Sequence, residues 1–255
     1  MNANDLLDAL EAHSGLVCAV GAGGKKTTLY RLLRAHPGHV AYTATVFTHS
    51  FPEDLPAYPL VGSPEDITAA VLAAAENHDK LAFACFSDKP QRHAGLAPAQ
   101  VAECHAAAGF DLTLVKADGA RMRLLKAPAE EEPCLVEGAT TVLGLVSARV
   151  IGLPLSSRHV HRPELVSTVT GATPGETITP LHVARLIASE NGLLRGIGAA
   201  RMIPVINMAD NPRHKANAVE AARIALDLSD RYDRVVVAAM READPIVEVV
   251  VRSAG

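Results

Sequence analysis

The segment from Leu16 to Leu29 constrains the fold more than any other part of this 255-residue chain. Its apolar start, Leu16–Val20, predicts a buried strand, and Gly21-Ala22-Gly23-Gly24 follows directly. Lys25-Lys26-Thr27-Thr28 then opens a segment with helical periodicity. A strand, a glycine-rich loop and a helix start in this order are typical of phosphate-binding sites, because glycines let backbone N–H groups turn toward the anion and the helix end adds unpaired donors.

This segment predicts a bound nucleotide, either ATP or GTP, together with Mg²⁺. Lys25 and Lys26 are the candidate phosphate ligands, and the hydroxyl of Thr27 or Thr28 is the candidate metal ligand. The standard phosphate-loop pattern fits in neither of two registers. If Lys25 is the phosphate lysine, Lys26 stands where the metal-binding hydroxyl belongs. If Lys26 is the phosphate lysine, Lys25 replaces the last glycine of the pattern. The alternative is an ordinary strand-to-helix turn, but lysines at a helix N-terminus are unfavourable without an anion.

An acidic residue follows a second predicted strand, Leu112–Ala117. Asp118 is predicted to hold Mg²⁺ directly or through water, and the alternative is a turn-forming Asp-Gly pair. Lys25, Lys26 and Asp118 form the predicted catalytic set, which would act by positioning and charge neutralisation because no general base is evident. The basic residues that come next would neutralise phosphate or an acidic substrate, or else belong to a solvated loop; they are Arg121, Arg123 and Lys126.

A third predicted strand ends in Asn207-Met208-Ala209-Asp210. GTPases read the guanine base with an Asn-x-x-Asp pattern at the end of a strand like this one. The Asp210 carboxylate would accept hydrogen bonds from guanine, and Asn207 would help to fix the loop. The usual lysine is replaced by Met208, so the pattern leans only slightly toward guanine and leaves ATP open.

Apolar runs alternate with helical segments along the chain, which predicts an α/β fold of the P-loop NTPase type, a mostly parallel sheet flanked by helices on both faces. Ligands of such sheets bind at the carboxyl ends of the strands. Because no linker or repeat is found, residues 1–255 are predicted to form a single domain. The seven predicted strands are Leu16–Val20, Val40–Thr43, Leu81–Phe86, Leu112–Ala117, Thr140–Val146, Met202–Asn207 and Val235–Ala239.

Composition narrows the class of protein. The net charge is −4, lysine and arginine are scattered, and aromatic residues are few, which argues against a nucleic-acid partner. No apolar stretch approaches the roughly 20 residues that span a bilayer, which argues against a membrane partner. The start Met1–Asp5 lacks the basic residues of a signal peptide, and the four cysteines form no CxxC pair, so a cytoplasmic location is expected.

Taken together, these segments resemble the YqeC-like proteins over nearly the whole chain. The resemblance is carried by Val20–Thr28, by Ala117–Arg121 leading to Leu125–Pro128, by Val160–Glu164 and by Asn207–Asp210. Many relatives have glutamate in place of Lys116, lysine in place of Met208, and one lysine rather than two in the glycine loop. The resemblance implies a P-loop-type nucleotide-binding fold and an accessory role in maturing selenium-dependent molybdenum hydroxylases, with an apo-hydroxylase or its cofactor as partner.

The resemblance also brings Val160–Glu164 near the site. His161 and Arg162 are therefore candidate contacts of substrate or phosphate, and the pair His159 and His161 is an alternative metal site that lacks a third ligand. The polar segment Gln91-Arg92-His93 is either a lid or a surface loop.

The function expected from these features is that of a Mg²⁺-dependent NTPase or an NTP-using accessory factor. A non-catalytic chaperone gated by nucleotide, and a small-metabolite kinase or ligase with the same loop, are the alternatives.

Overall fold

The structure is a computed structural model that describes residues 3–252. Its helices are α1 Ala3–Leu10, α2 Lys25–Ala35, α3 Ile67–Ala75, α4 Pro98–Ala108, α5 Pro163–Thr170, α6 Pro180–Ala188 and α7 Pro212–Leu228. Its strands are β1 Gly15–Gly21, β2 Val40–Ala44, β3 Thr48–His49, β4 Tyr58–Gly62, β5 Lys80–Cys85, β6 Arg92–His93, β7 Leu112–Lys116, β8 Leu125–Lys126, β9 Thr141–Ser147, β10 Val160–His161, β11 Arg201–Asn207, β12 Arg234–Ala238 and β13 Ile246–Val251.

A single sheet of nine strands forms the centre of the molecule, in the order β13-β12-β11-β9-β1-β7-β2-β5-β4. Every neighbouring pair is parallel except β12 and β13, which pair antiparallel at one edge. The predicted α/β class with a mostly parallel sheet is confirmed. Two short ribbons, β8 with β10 and β3 with β6, lie outside this sheet.

Helices cover both faces of the sheet. The apolar side chains of α1 and α2, such as Leu7 and Leu32, pack in one core with Val17 of β1. Helices α3 to α7 pack in a second core, on the face that includes Cys18 of β1. Both faces of β1 are therefore buried, which explains why its sequence is an uninterrupted apolar run rather than an alternating one.

The strand order creates a switch point at β1. From β1 the chain passes through α2 to β2, which lies beyond β7 on one side of β1. From β9, the neighbour of β1 on the other side, the chain continues to β11, farther out in that direction. Connections that diverge in this way open a crevice at the carboxyl ends of the strands, where open α/β sheets bind ligands. The glycine loop follows β1 at this crevice.

All seven predicted strands are present, and each end lies within one residue of its predicted position. The sequence analysis did not identify the two edge strands, β4 and β13, or helices α5 to α7. Edge strand β4 contains Pro59, which breaks the apolar pattern but is tolerated where one side of a strand is unpaired. Within residues 3–252, no helix is both long and apolar enough to cross a membrane.

Candidate functional site

The glycine loop lies tightly against the carboxyl end of β9. Gly21 and Gly23 have φ angles of +86° and +85°, a region that side chains disfavour. A Cβ at Gly21 would collide with the carbonyl oxygen of Leu145, and one at Gly23 would lie 2.6 Å from the backbone nitrogen of Ser147. Glycine is therefore required at both positions by conformation and by space.

Asn207, at the end of β11, fixes the loop from the other side. Its Nδ2 donates a 2.8 Å hydrogen bond to the carbonyl of Gly23, and its Oδ1 accepts one of 3.0 Å from the backbone of Met240. The predicted role in fixing the loop agrees with these contacts. Because both ends of the buried amide are engaged by backbone groups, Asn207 contributes to a ligand site through loop position rather than through a free polar group.

Helix α2 begins at Lys25 with an uncapped N-terminus. Its N-cap residue, Gly24, offers no side chain, and none of residues 3–252 accepts a hydrogen bond from the backbone N–H groups of residues 24–27. Two N–H groups earlier in the loop are engaged: Ala22 donates to Leu145 at 2.8 Å, and Gly21 donates to Asp118 at 2.9 Å. The free donors and the positive end of the helix dipole meet at the crevice and favour an anion there.

Lys25 is the lysine that the fold places in the loop. Its side chain is buried, with Nζ 2.7 Å from Oδ1 of Asp118 and a hydrogen bond to the carbonyl of Gly21. Burial lowers the pKa of Lys25, and the Asp118 carboxylate opposes that shift. Lys26, the next residue, is only half-buried and makes no ion pair with the described residues. The structure thus distinguishes the two lysines, which the sequence could not.

Asp118 reaches the glycine loop and is not merely a turn residue. It is buried, and its Oδ2 accepts the N–H of Gly21 and lies 2.9 Å from Nζ of Lys126. Its Oδ1 lies next to the Lys25 ammonium, and no other described residue donates to this oxygen. Asp118 therefore holds Lys25 in place. Its role as a metal ligand stays a prediction.

Glu132, which the sequence analysis did not single out, joins two predicted substrate residues. Its Oε2 accepts hydrogen bonds of 2.6 Å from both Lys126 and Arg162, and Lys126 also donates to the carbonyl of Gly119 at 2.8 Å. Burial alone would raise the pKa of Glu132, but the bonds from Arg162 and Lys126 outweigh it and lower that pKa to about 2. Lys126 and Arg162 are thus both engaged by Glu132, and Lys126 in turn contacts Asp118.

The other predicted substrate contacts differ in position. His161 pairs in register with Lys126 in the β8–β10 ribbon, and burial followed by the charge of Arg162 lowers the pKa of its imidazole. Arg121 is exposed, with a φ of +45° and no hydrogen bond to the described residues. His159 lies in the turn before β10, and the described part of the chain holds no group of three His, Cys, Asp or Glu side chains suited to a metal ion.

A cleft lies on the β11 side of the loop and contains the predicted base reader. Asp210 forms an ion pair there with Arg149 and a hydrogen bond of 3.2 Å with Nδ1 of His214. The hydrogen bond from Arg149 lowers the pKa of Asp210. Thr27 enters the same cleft from α2, whereas Thr28 donates back to the carbonyl of Gly24 at 3.2 Å. The cleft is lined by Thr27, Arg149, Asn207, Met208, Asp210, Ala239, Met240, Arg241 and Glu242.

Lys116 is a further residue that has no predicted role. It ends β7, is buried, and donates a 2.7 Å hydrogen bond from Nζ to the carbonyl of Phe47. Burial, reinforced by the charge of Lys25, lowers its pKa to about 7. The signal in the sequence is a lysine inside an otherwise apolar strand, two residues before Asp118.

Comparison with known proteins agrees with the resemblance. A family model described as YqeC protein matches residues 17–164, more than half of the chain. This match contains the glycine loop, Asp118 and the β8–β10 ribbon, but not Asn207 or Asp210. The uncharacterized protein YqeC of Escherichia coli (strain K12) is 29% identical over 189 residues, which cover 71% of this chain and 71% of that protein. No solved structure gives a significant match.

Proposed function

This chain belongs to the YqeC family, and we propose that it binds the triphosphate of ATP or GTP, with Mg²⁺, at the loop formed by residues 21–28. One observation carries the proposal. The uncapped start of α2, with its free N–H groups at residues 24–27, lies beside the buried ammonium of Lys25 at the switch point of the sheet. A buried ammonium and unpaired N–H donors each gain from an anion, and a polyphosphate would satisfy both.

The residues divide between two roles in this proposal. Lys25 and the N–H groups of residues 24–27 would hold phosphate oxygens, with Lys26 contributing charge from the more exposed side. Thr27 and Asp210 lie in the cleft on the β11 side, which is the proposed base site. An ionised Asp210 could accept from guanine N1 and its amino group, but only after releasing Arg149. Both ATP and GTP therefore remain in the proposal.

The fit of a magnesium ion rests on Asp118, since Thr27, the other predicted metal ligand, lines the proposed base cleft. Among the described residues, Oδ1 of Asp118 meets the Lys25 ammonium alone, and its second lone pair is a suitable acceptor for a water molecule on the metal. Direct coordination is a poorer fit, because ammonium groups lie within 3 Å of both carboxylate oxygens. When bound, Mg²⁺ supplies charge neutralisation of the phosphates, and Lys25 and Lys26 add to it.

Hydrolysis of the nucleotide, or transfer of its terminal phosphoryl group, is the proposed reaction. Such transfer depends on positioning and charge, which the loop and its lysines supply without a general base. The proposed client, a selenium-dependent molybdenum hydroxylase or its cofactor, follows from the sequence resemblance alone.

Calorimetric titration of the protein with ATP and with GTP, each with and without Mg²⁺, tests the nucleotide site. We expect Lys25→Met to weaken nucleotide binding at least tenfold, which corresponds to about 1.4 kcal/mol, because a charge-assisted contact is lost. Lys215→Met is the matched control, since Lys215 of α7 makes an exposed ion pair with Glu248 of β13, away from the loop. Equal affinity in the two variants, or no binding by the wild-type protein, would overturn the proposal.

A further inference from the structure

A second group of basic side chains lies on the β2 side of the glycine loop, away from the proposed base cleft. Lys26 is the second residue of α2, and Lys116 ends β7. His49 and Arg92 stand directly opposite each other in the β3–β6 ribbon, so their side chains share one face. We name these four residues, Lys26, His49, Arg92 and Lys116, the basic pocket. Burial, and then the charges of Lys26, Arg92 and Lys116, lower the pKa of the His49 imidazole, as close positive neighbours require.

The ribbon is docked firmly on the sheet. Lys116 donates to the carbonyl of Phe47, just before β3, at 2.7 Å. After β6, the N–H of Leu96 bonds to the carbonyl of Ala44 at 2.9 Å. Gly95 is packed so closely that a Cβ there would collide with the backbone nitrogen of Val46. The basic pocket is therefore built by ordered contacts at the carboxyl ends of β2 and β7.

The charges in this pocket have few partners. Within residues 3–252, the side chains of Lys26, His49 and Arg92 make no hydrogen bond or ion pair. Lys116 satisfies one of its three N–H groups, at Phe47. The pKa of Lys116 is raised by the Asp118 carboxylate, which already faces two other lysines. Lys26 is half-buried and Arg92 is exposed, and neither positive charge has a counter-ion among the described residues, so an anion beside them would gain from both.

We propose that the basic pocket binds an oxyanion group, a carboxylate or a phosphate, of a second substrate beside the nucleotide. This inference rests on the proposed nucleotide site and identifies the class of acceptor. Lys26 and Lys116 join the two sites, because both lie next to Lys25 and the glycine loop. The acceptor oxygen would form a bond to the γ-phosphorus while the bond from that phosphorus to the β–γ bridging oxygen breaks. The nucleoside diphosphate leaves with that electron pair. An anionic oxygen has no proton to lose, which agrees with the lack of an evident general base.

Anion binding to the nucleotide-loaded protein tests this pocket. Protein saturated with a non-hydrolysable ATP or GTP analogue and Mg²⁺ is titrated with inorganic phosphate and, separately, with acetate, while the imidazole signals are followed by NMR. We expect one of the two anions to shift the signals of His49 and raise its pKa. Arg92→Met should weaken that binding at least fivefold and leave nucleotide affinity within twofold. Arg34→Met, at the far end of α2, should change neither quantity.

The outcomes separate the two proposals. No anion effect on His49, or equal anion affinity in Arg92→Met and Arg34→Met, would overturn the basic pocket while the nucleotide site stands. If no nucleotide binds, the same titration is made on the protein alone. Anion binding that weakens in Arg92→Met would then support the pocket although the nucleotide site has failed.

Discussion

Replacement of Asp118 by asparagine probes the contact on which the site depends. The substitution keeps the shape of the side chain and its bond from the N–H of Gly21, but it removes the negative charge between two buried ammonium groups, those of Lys25 at 2.7 Å and Lys126 at 2.9 Å. Loss of one partner from a buried ion pair costs about 3–5 kcal/mol, since the other charge stays buried. Lys126 keeps its 2.6 Å bond to Glu132, so we expect the lower end, about 3 kcal/mol.

Urea denaturation followed by far-UV circular dichroism measures this effect, because the chain has no tryptophan for a fluorescence assay. The slope of the unfolding free energy against urea should be unchanged, which shows that only stability differs. Asp54→Asn is the control: Asp54 is exposed and pairs with Arg34 at 3.3 Å, so its loss should cost no more than about 0.5 kcal/mol. An Asp118→Asn protein as stable as the Asp54→Asn protein would refute the reasoning.

The same variant also separates two roles of Asp118 in binding. If Asp118 acts by holding Lys25, Asp118→Asn should weaken nucleotide binding both with and without Mg²⁺. If it acts only through the metal, the loss should vanish when Mg²⁺ is absent. We expect the first result, because the structure shows the contact with Lys25 directly.

Three further predictions follow from single contacts. Gly23→Ala should destabilise the protein and abolish nucleotide binding, because the new Cβ would lie 2.6 Å from the backbone of Ser147. Gly138→Ala is the control, since Gly138 also has a positive φ but lies in open space. The difference between the two variants in thermal unfolding then measures the cost of the clash. The pKa of Lys116 is about 7 in the folded protein and has its ordinary value of 10.5 in the unfolded chain. Between pH 7 and pH 10.5 the unfolded state therefore binds more protons than the folded state. Stability should therefore rise with pH there by up to about 1.4 kcal/mol per unit, a dependence that Lys116→Met should lose in urea titrations at pH 7.5 and 9. Asp210→Ala should reduce any preference for GTP over ATP in competition for one fluorescent analogue; a preference that survives would show that Asp210 does not read the base.

The central strands were predictable from sequence because burial on both faces leaves uninterrupted apolar runs such as Leu16–Val20. Edge strand β4 was missed because Tyr58 and Pro59 are exposed, and an edge strand need not be apolar. Helix α7 has a start of a kind that sequence can predict, because Asn211 caps it with its side chain and Pro212 lies in its first turn.

The glycine loop and Asp118 could be found from sequence because each follows a recognisable strand. Their partners could not. Glu132 lies in an acidic run that resembles solvated loop, and only the fold brings it to Lys126 and Arg162. Arg149 is likewise separated from Asp210 by 61 positions, and a contact over such a separation cannot be predicted from the spacing of residues in the sequence.

A crystal structure of the protein with Mg²⁺ and a non-hydrolysable nucleoside triphosphate tests the central claim most directly. We predict that the β- and γ-phosphates lie against the backbone N–H groups of residues 24–27, with Nζ of Lys25 turned from the carbonyl of Gly21 toward a phosphate oxygen. The base is predicted to occupy the cleft beside Asp210. A nucleotide bound elsewhere, or a saturated protein in which residues 24–27 contact no phosphate, would contradict the account.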